Sequence, residues 1–418
     1  MKRIVNEFCK LALFAWTAVS LPAQTTFTTL YSFSGSDGQN PFSALVEATD
    51  GDLYGTTNDG GPNNAGTVFK ITPSGALATL YSFCGQTGCS DGKNPVGLVQ
   101  ARNGDLYGTA MSGGANGVGT VFKITLSGMF TTLYSFCGRN GCTDGYGPNA
   151  PLVEAVNGDL YGTTIFGPGP GAGTVFKITP KGTLTTIYNF CSKPNCTDGG
   201  SAHGGLIQAR NGDLYGITVE GGANPGPGGY GAGTVFKITT SGTFTTLYNF
   251  CTQATCADGS YPQAGLVQAA TGDLYGTTTD GGANGGGTVF KITPSGDLTT
   301  LFSFCGQSDC PLVADGEVPY AGLIQASNGD FYGATLYGGS NEGGTVFEIK
   351  PDGVLTALYS FENGFAAWQP LGDLGLRPPR KIPLVAELVT GGFAGEPPLN
   401  TGPIPVGFDV PGADAGLQ

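Results

Sequence analysis

The chain has 418 residues, of which 74 are glycine and 27 proline; 12% are charged, and the net charge is −13. Glycine at that density dismantles long helices, while 39% hydrophobic content is too much for charge-driven disorder. An acidic surface repels phosphate and argues against a nucleic-acid partner. A single histidine, His203, removes most histidine-based catalysis and most metal sites.

Residues 1–23 open with Lys2, Arg3 and Lys10. An apolar run of eleven residues follows, Leu11 to Leu21, and then Pro22-Ala23 before Gln24. A charged start, a short apolar run and a small-residue exit predict a secretory signal peptide. Eleven apolar residues are too few to cross ~30 Å of hydrocarbon as a helix. No later stretch is long or apolar enough to span a membrane, so the mature chain is expected to be secreted.

From there one unit repeats. Gly-Thr-Val-Phe starts at Gly66, Gly119, Gly173, Gly233, Gly287 and Gly344. Gly-Asp-Leu-Tyr-Gly, or its Phe variant, starts at Gly51, Gly104, Gly158, Gly212, Gly272 and Gly329. Leu-Val-Gln-Ala or a variant starts at Leu45, Leu98, Leu152, Leu206, Leu266 and Leu323. Leu-Tyr-Ser-Phe or a variant starts at Leu30, Leu80, Leu133, Ile187, Leu247, Leu301 and Leu358. Each is a β-branched and aromatic run between turn residues, which reads as a strand. In chain order the strands are a (Leu-Val-Gln-Ala), b (Asp-Leu-Tyr-Gly-Thr), c (Thr-Val-Phe-Lys-Ile) and d (Thr-Leu-Tyr-Ser-Phe). Asn-Gly pairs such as Asn103-Gly104 predict two-residue hairpins between a and b. Thr-Pro-Ser-Gly, as at Thr72–Gly75, predicts a type I turn between c and d.

Four antiparallel strands in every 53 to 60 residues predict an all-β fold, a β-propeller of four-stranded blades with six sequence-evident repeats. Residues 24–361 form the propeller domain on this reading. Strand d occurs seven times and the others six. Either the N-terminal copy, Thr28–Phe33, completes a seventh blade with C-terminal sequence, or six blades close and that copy is an appendage. The tail, 362–418, is about one repeat long, but it holds nine prolines and none of the a, b or c motifs. Ile382–Val389 and Val406–Val410 are its strand candidates.

Length varies on one face only. The c-to-d spacing is 14 in all six copies, whereas the b–c connection is six residues longer in the fourth copy, around Asn224 to Tyr230. In such a blade the d–a and b–c connections share a face. Loops that vary on a fixed scaffold are where binding usually resides.

The alternation of Gly-Asp-Leu-Tyr-Gly-Thr-Thr, Gly-Thr-Val-Phe-Lys-Ile-Thr-Pro-Ser-Gly and Thr-Leu-Tyr-Ser-Phe resembles the GloVer tandem-repeat family of bacterial choice-of-anchor proteins. The resemblance covers roughly residues 27–361. It implies an exported protein, often with a surface-sorting element at its C-terminus. It brings no established chemistry, so no catalytic residue is carried over. Residues 362–418 lack the apolar span and basic end of a sorting signal, so surface anchoring is not expected.

Ten of the eleven cysteines form C-x4-C pairs in d–a loops: Cys84/Cys89, Cys137/Cys142, Cys191/Cys196, Cys251/Cys256 and Cys305/Cys310. In an exported chain these read as local disulfides; a metal site needs four ligands, and each loop offers two thiols. Asp37, Asp91, Asp144, Asp198, Asp258 and Asp315 each precede a glycine in these loops. They read as Asx-type turns rather than a calcium ring, because no calcium-loop spacing accompanies them. Glu47, Gln100, Glu154, Gln208, Gln268 and Gln325 occupy one position on strand a and are candidates to line a central channel, as a hydrated wall or a sugar-holding ring. Tyr146, Tyr230, Tyr261, Tyr320 and Tyr337 lie in or near the variable loops and are candidate ligand-stacking rings. The lysines of strand c read as solvated side chains. No cofactor or metal is implied. The leading function is a non-enzymatic extracellular scaffold or binding module whose ligand, a glycan or a protein, meets the face of the d–a and b–c loops. The alternative is a carbohydrate-active propeller enzyme using paired carboxylates.

Overall fold

The computed structural model describes residues 30–169, 172–226, 229–305 and 315–362. The expected signal peptide and nearly all of the tail lie outside them. Six four-stranded antiparallel sheets follow one another in a ring. Blade I is β1 (Val46–Glu47), β2 (Leu53–Thr57), β3 (Thr67–Ile71) and β4 (Leu77–Ser82). Blade II is β5 (Lys93–Gln100), β6 (Leu106–Ser112), β7 (Thr120–Ile124) and β8 (Phe130–Ser135). Blade III is β9 (Val153–Glu154), β10 (Leu160–Thr164), β11 (Thr174–Ile178) and β12 (Leu184–Asn189). Blade IV is β13 (Ile207–Gln208), β14 (Leu214–Thr218), β15 (Thr234–Ile238) and β16 (Phe244–Asn249). Blade V is β17 (Val267–Gln268), β18 (Leu274–Thr278), β19 (Gly285–Ile292) and β20 (Leu298–Cys305). Blade VI is β21 (Ile324–Gln325), β22 (Phe331–Ala334), β23 (Glu342–Ile349) and β24 (Leu355–Glu362). Within each blade the order is a-b-c-d. The described residues hold no α-helix, only four three-residue 3-10 turns inside cysteine loops.

The repeated side chains divide between the two faces of each blade, because successive residues of a strand point opposite ways. Leu98, Leu106, Phe122 and Ile124 pack back against Tyr54, Val68 and Phe83 of the preceding blade. Tyr107, Val121 and Phe136 pack forward against Leu152, Leu160 and Phe176. Strand-c Phe meets strand-d Phe of the preceding blade edge-on, as Phe83 meets Phe122 at 5.2 Å. The glycine in strand b makes room for that ring: a Cβ on Gly108 would sit 2.5 Å from Phe122 Cζ.

The a–b connections differ from the predicted two-residue hairpins. Gly104 N–H donates to the Ala101 carbonyl, and Ala101 N–H to that of Asp105, so only the glycine, at φ 86, is left-handed. This is a type I turn followed by a bulge. The Asn103 side chain favours it by accepting from Asp105 N–H (3.1 Å) and donating to the Tyr107 hydroxyl (2.8 Å). The strand-c lysines are not simply solvated: Lys70 pairs with Asp52 at 2.5 Å and Lys123 with Asp105 at 3.2 Å.

A threonine pair closes the loop end of strands b and c. Thr57 and Thr67 share a hydroxyl hydrogen bond of 2.8 Å, as do Thr164 and Thr174. Blade II has Ala110 in place of the first threonine, which leaves the buried Thr120 Oγ1 without a partner.

Candidate binding face

Four of the d–a loops are fixed by buried carboxylates. Asp91, Asp144, Asp198 and Asp258 are fully buried. Each accepts the hydroxyl of the strand-d tyrosine ten residues earlier: Tyr81 (2.7 Å), Tyr134 (2.7 Å), Tyr188 (2.8 Å) and Tyr248 (2.7 Å). Asp198 also accepts Ser192 N–H (3.0 Å) and Oγ–H (2.7 Å), and Lys193 N–H (3.3 Å). Burial, then the bond to Asp144, pushes the Tyr134 hydroxyl up to about 12. These aspartates therefore clamp strand d to its own loop; Asp144 does so through Oδ2 alone, and its buried Oδ1 has no partner. Asp37 does the same with Tyr31 in a loop without cysteines. Among the described residues, no three His, Cys, Asp or Glu side chains gather at metal-binding reach. Cys84–Cys89, Cys137–Cys142, Cys191–Cys196 and Cys251–Cys256 are disulfide-bonded within their loops. Cys310 lies outside the described residues.

Past each clamp, the d–a loop pairs briefly with the end of strand b. The bridges are Gln39–Asp59, Tyr146–Phe166, Gly200–Glu220, Ser260–Asp280 and Glu317–Tyr337; Lys93–Ser112 is the blade II equivalent. One backbone position thus presents Asp59, Ser112, Phe166, Glu220, Asp280 and Tyr337 in turn. The next loop residue is left-handed in every copy, including Tyr261 (φ 55) and Val318 (φ 56), a conformation that is costly for a β-branched residue. It is held because the N–H reaches the preceding blade, as Val318 N–H does to Gly286 O at 2.9 Å.

The differences in side chain produce different local chemistry. Asp59 is occupied by Asn40 (3.1 Å) and Asn94 (2.9 Å). Phe166 stacks on Tyr146, with centroids 5.0 Å apart and planes at 22°. Glu220 accepts from Ser201 at 3.1 Å. It lies in a recess of about 430 Å³ lined by Cys191, Cys196, Gly200, Asn224 and Tyr230. The longer b–c loop of blade IV makes one wall of this recess. Its base is tied down by Asn224, which donates to Phe250 O at 2.9 Å, while Tyr230 farther along the loop is 75% exposed. Burial raises the Tyr261 hydroxyl, and the charges of Asp280, Glu220 and Tyr230 add to the shift.

The five candidate tyrosines all lie on this face, but they do not converge. Tyr230 lines the recess, Tyr261 follows the Ser260–Asp280 bridge of blade V, Tyr146 belongs to the stack in blade III, and Tyr320 and Tyr337 to blade VI, 36% and 44% exposed. Glu220, Asp280 and Phe166 were not among the sequence candidates. The signal was present at the residue two places after the last threonine of strand b, which differs in each copy.

The strand-a glutamines sit at the opposite, turn face. Gln100 Oε1 accepts Thr49 N–H of blade I (3.0 Å), Glu154 accepts Arg102 N–H (3.0 Å), Gln208 accepts Val156 N–H (2.8 Å) and Gln268 accepts Arg210 N–H (3.0 Å). They join each blade to the one before. Gln325 donates to Gly329 O at 3.0 Å, and Glu47 is exposed. His203 lies where a d–a loop enters strand a. Burial holds its imidazole down at about 4.

Six four-stranded blades with internally repeated motifs define a β-propeller repeat protein. The chain belongs to the Gloeobacter/Verrucomicrobia repeat family, whose model matches residues 13–141, 86–255 and 193–376. No curated protein matches it. Among solved structures, it is similar to a protein described as a candidate gluconolactonase (15% identity, TM-score 0.43, covering 81% of this chain and 96% of that one). It is also similar to a luciferin-regenerating enzyme (13%, 0.43, 79% and 94%) and to a glucose-dehydrogenase-type oxidoreductase from Thermus thermophilus (15%, 0.41, 71% and 91%). Likeness at that level carries no argument about chemistry. Among the described residues, no helix is long and apolar enough to cross a membrane.

Proposed function

We propose that the chain is an exported, non-enzymatic binding module that takes a neutral saccharide on its loop face, with the blade IV recess as the principal subsite. One observation carries this reading. On six near-identical blades, the side chains at the end of strand b differ, and in blade IV that side chain, Glu220, lines a recess together with the exposed Tyr230. A carboxylate accepts paired sugar hydroxyls, and an exposed tyrosine such as Tyr230 offers a flat apolar face with a polar rim. The net charge of −13 disfavours anionic glycans. The cysteine rings support an oxidising compartment.

A glycan array probed with the mature protein tests this. Glu220→Gln and Tyr230→Ala should each weaken binding at least ten-fold without moving the melting temperature, while charge changes at Val156 on the turn face leave binding unchanged. Absence of any glycan signal, or loss only from the turn-face variants, overturns the reading. The alternative, hydrolysis by paired carboxylates, has one pair in its favour: Glu317, raised by burial and by nearby Glu342. Sugar release abolished by Glu317→Gln would establish it instead.

A further inference from the structure

We propose that blades I and VI flank a seventh blade position, whose outer strand is Leu30–Phe33 and whose inner strands come from residues 363–418 of this chain. Leu30–Phe33 belongs to none of the six sheets, yet it lies where the strand d of a preceding blade lies. Phe33 meets Phe69 edge-on at 5.0 Å, as Phe190 meets Phe236 (5.2 Å) and Phe250 meets Phe290 (5.3 Å). A Cβ on Gly75 would lie 2.7 Å from the Leu30 carbonyl, the same distance that separates one on Gly353 from the Leu301 carbonyl. Blade VI cannot be that preceding blade, because it already has its own strand d, β24.

Both flanks of the position are less covered than their counterparts. Leu53 is half-buried, whereas Leu106, Leu160, Leu214 and Leu274 are fully buried. Leu45 is half-buried where Leu98 and Leu152 are buried, and Glu47 is exposed where Glu154 is half-buried. On the other side, Tyr332 is half-buried where Tyr54, Tyr107, Tyr161 and Tyr215 are fully buried. Among the described residues, five core clusters join consecutive blades and none joins blade VI to blade I.

Continuity names the occupant. β24 ends at Glu362 on the loop face, where every earlier strand d passes directly to strand a of the next blade. The chain beyond it is about one repeat long.

Thiol labelling of the mature chain tests the proposal, with Glu47→Cys compared against the exposed Met129→Cys. Glu47→Cys should label at least ten-fold slower than the reference in the chain ending at Gln418, and as fast as the reference in a chain ending at Glu362. Equal rates in the longer chain overturn the proposal. So does protection that survives the shortening and rises with protein concentration, which would mean that a second copy fills the position. If the shortened chain does not fold, amide exchange in the longer chain decides: slow exchange across residues 31–33 is expected, and exchange at the rate of an unpaired segment refutes it.

Discussion

The two faces of the propeller are held by different forces. On the turn face, neighbouring blades are joined by neutral or singly charged side chains at the surface, Gln100, Glu154, Gln208 and Gln268, each accepting one backbone N–H. On the loop face, four d–a connections are each pinned by a buried carboxylate, its tyrosine and a disulfide, and Asp37 makes the same tyrosine bond in the first copy. The variable side chains sit on the second face. A site that must present different chemistry from copy to copy needs loops whose backbone does not change with it, and a buried carboxylate bonded to its strand-d tyrosine supplies that rigidity because another loop path takes that partner from the charge. Recurrence in this chain therefore marks scaffold, and divergence marks the proposed site.

The largest test of this contrast is Asp198→Ala. It leaves the Tyr188 hydroxyl and the Ser192 and Lys193 N–H groups without their acceptor and should cost about 4 kcal/mol, read by denaturant unfolding. A loss below about 1 kcal/mol, the size expected on the turn face, would erase the distinction between the faces.

The pH dependence comes next. The His203 imidazole is held at about 4 in the folded chain, below its ordinary 6.5, so the folded state binds fewer protons than the unfolded one. Its contribution is complete above pH 6.5 and is lost as pH falls toward 4, with a slope of at most about 1.4 kcal/mol per pH unit. His203→Gln should flatten that limb of the stability profile; an unchanged limb assigns it to other groups.

Removing the Cys251–Cys256 ring by a double serine substitution should cost about 2 kcal/mol on the loop-closure model, less than removing the clamp inside the same loop. The cysteine-free loop at Asp37 shows the reason: the carboxylate–tyrosine bond is kept there without a disulfide. If the serine variant loses more than Asp258→Ala, the ring and not the clamp organises the loop. The smallest effect is expected on the turn face, where Gln208→Ala frees the solvent-reachable Val156 N–H and the Gly212 carbonyl and should cost about 1 kcal/mol.

Much of this was legible in the repeats. The four strand motifs, their order and their constant c-to-d spacing determined the blade, because side-chain alternation and turn chemistry act over a few residues and leave a local record. The cysteine rings close over six residues and were equally local. The uneven count of strand d was visible as well, but as a choice between two arrangements.

Tertiary structure decided what each recurring polar residue does. Nothing within a repeat shows that Gln208 reaches the turn of the preceding blade, or that the Asp of the Asp-Gly pair accepts a tyrosine ten residues back, since both bonds depend on how separate strands come together. The same holds for the wall of the blade IV recess, where Cys191 and Cys196 of the d–a loop come beside Glu220 and Tyr230 of the b–c connection. It holds also for the half-buried Leu45, Leu53 and Tyr332: their motifs match those of their buried counterparts, and only the neighbours that the ring places beside them set them apart.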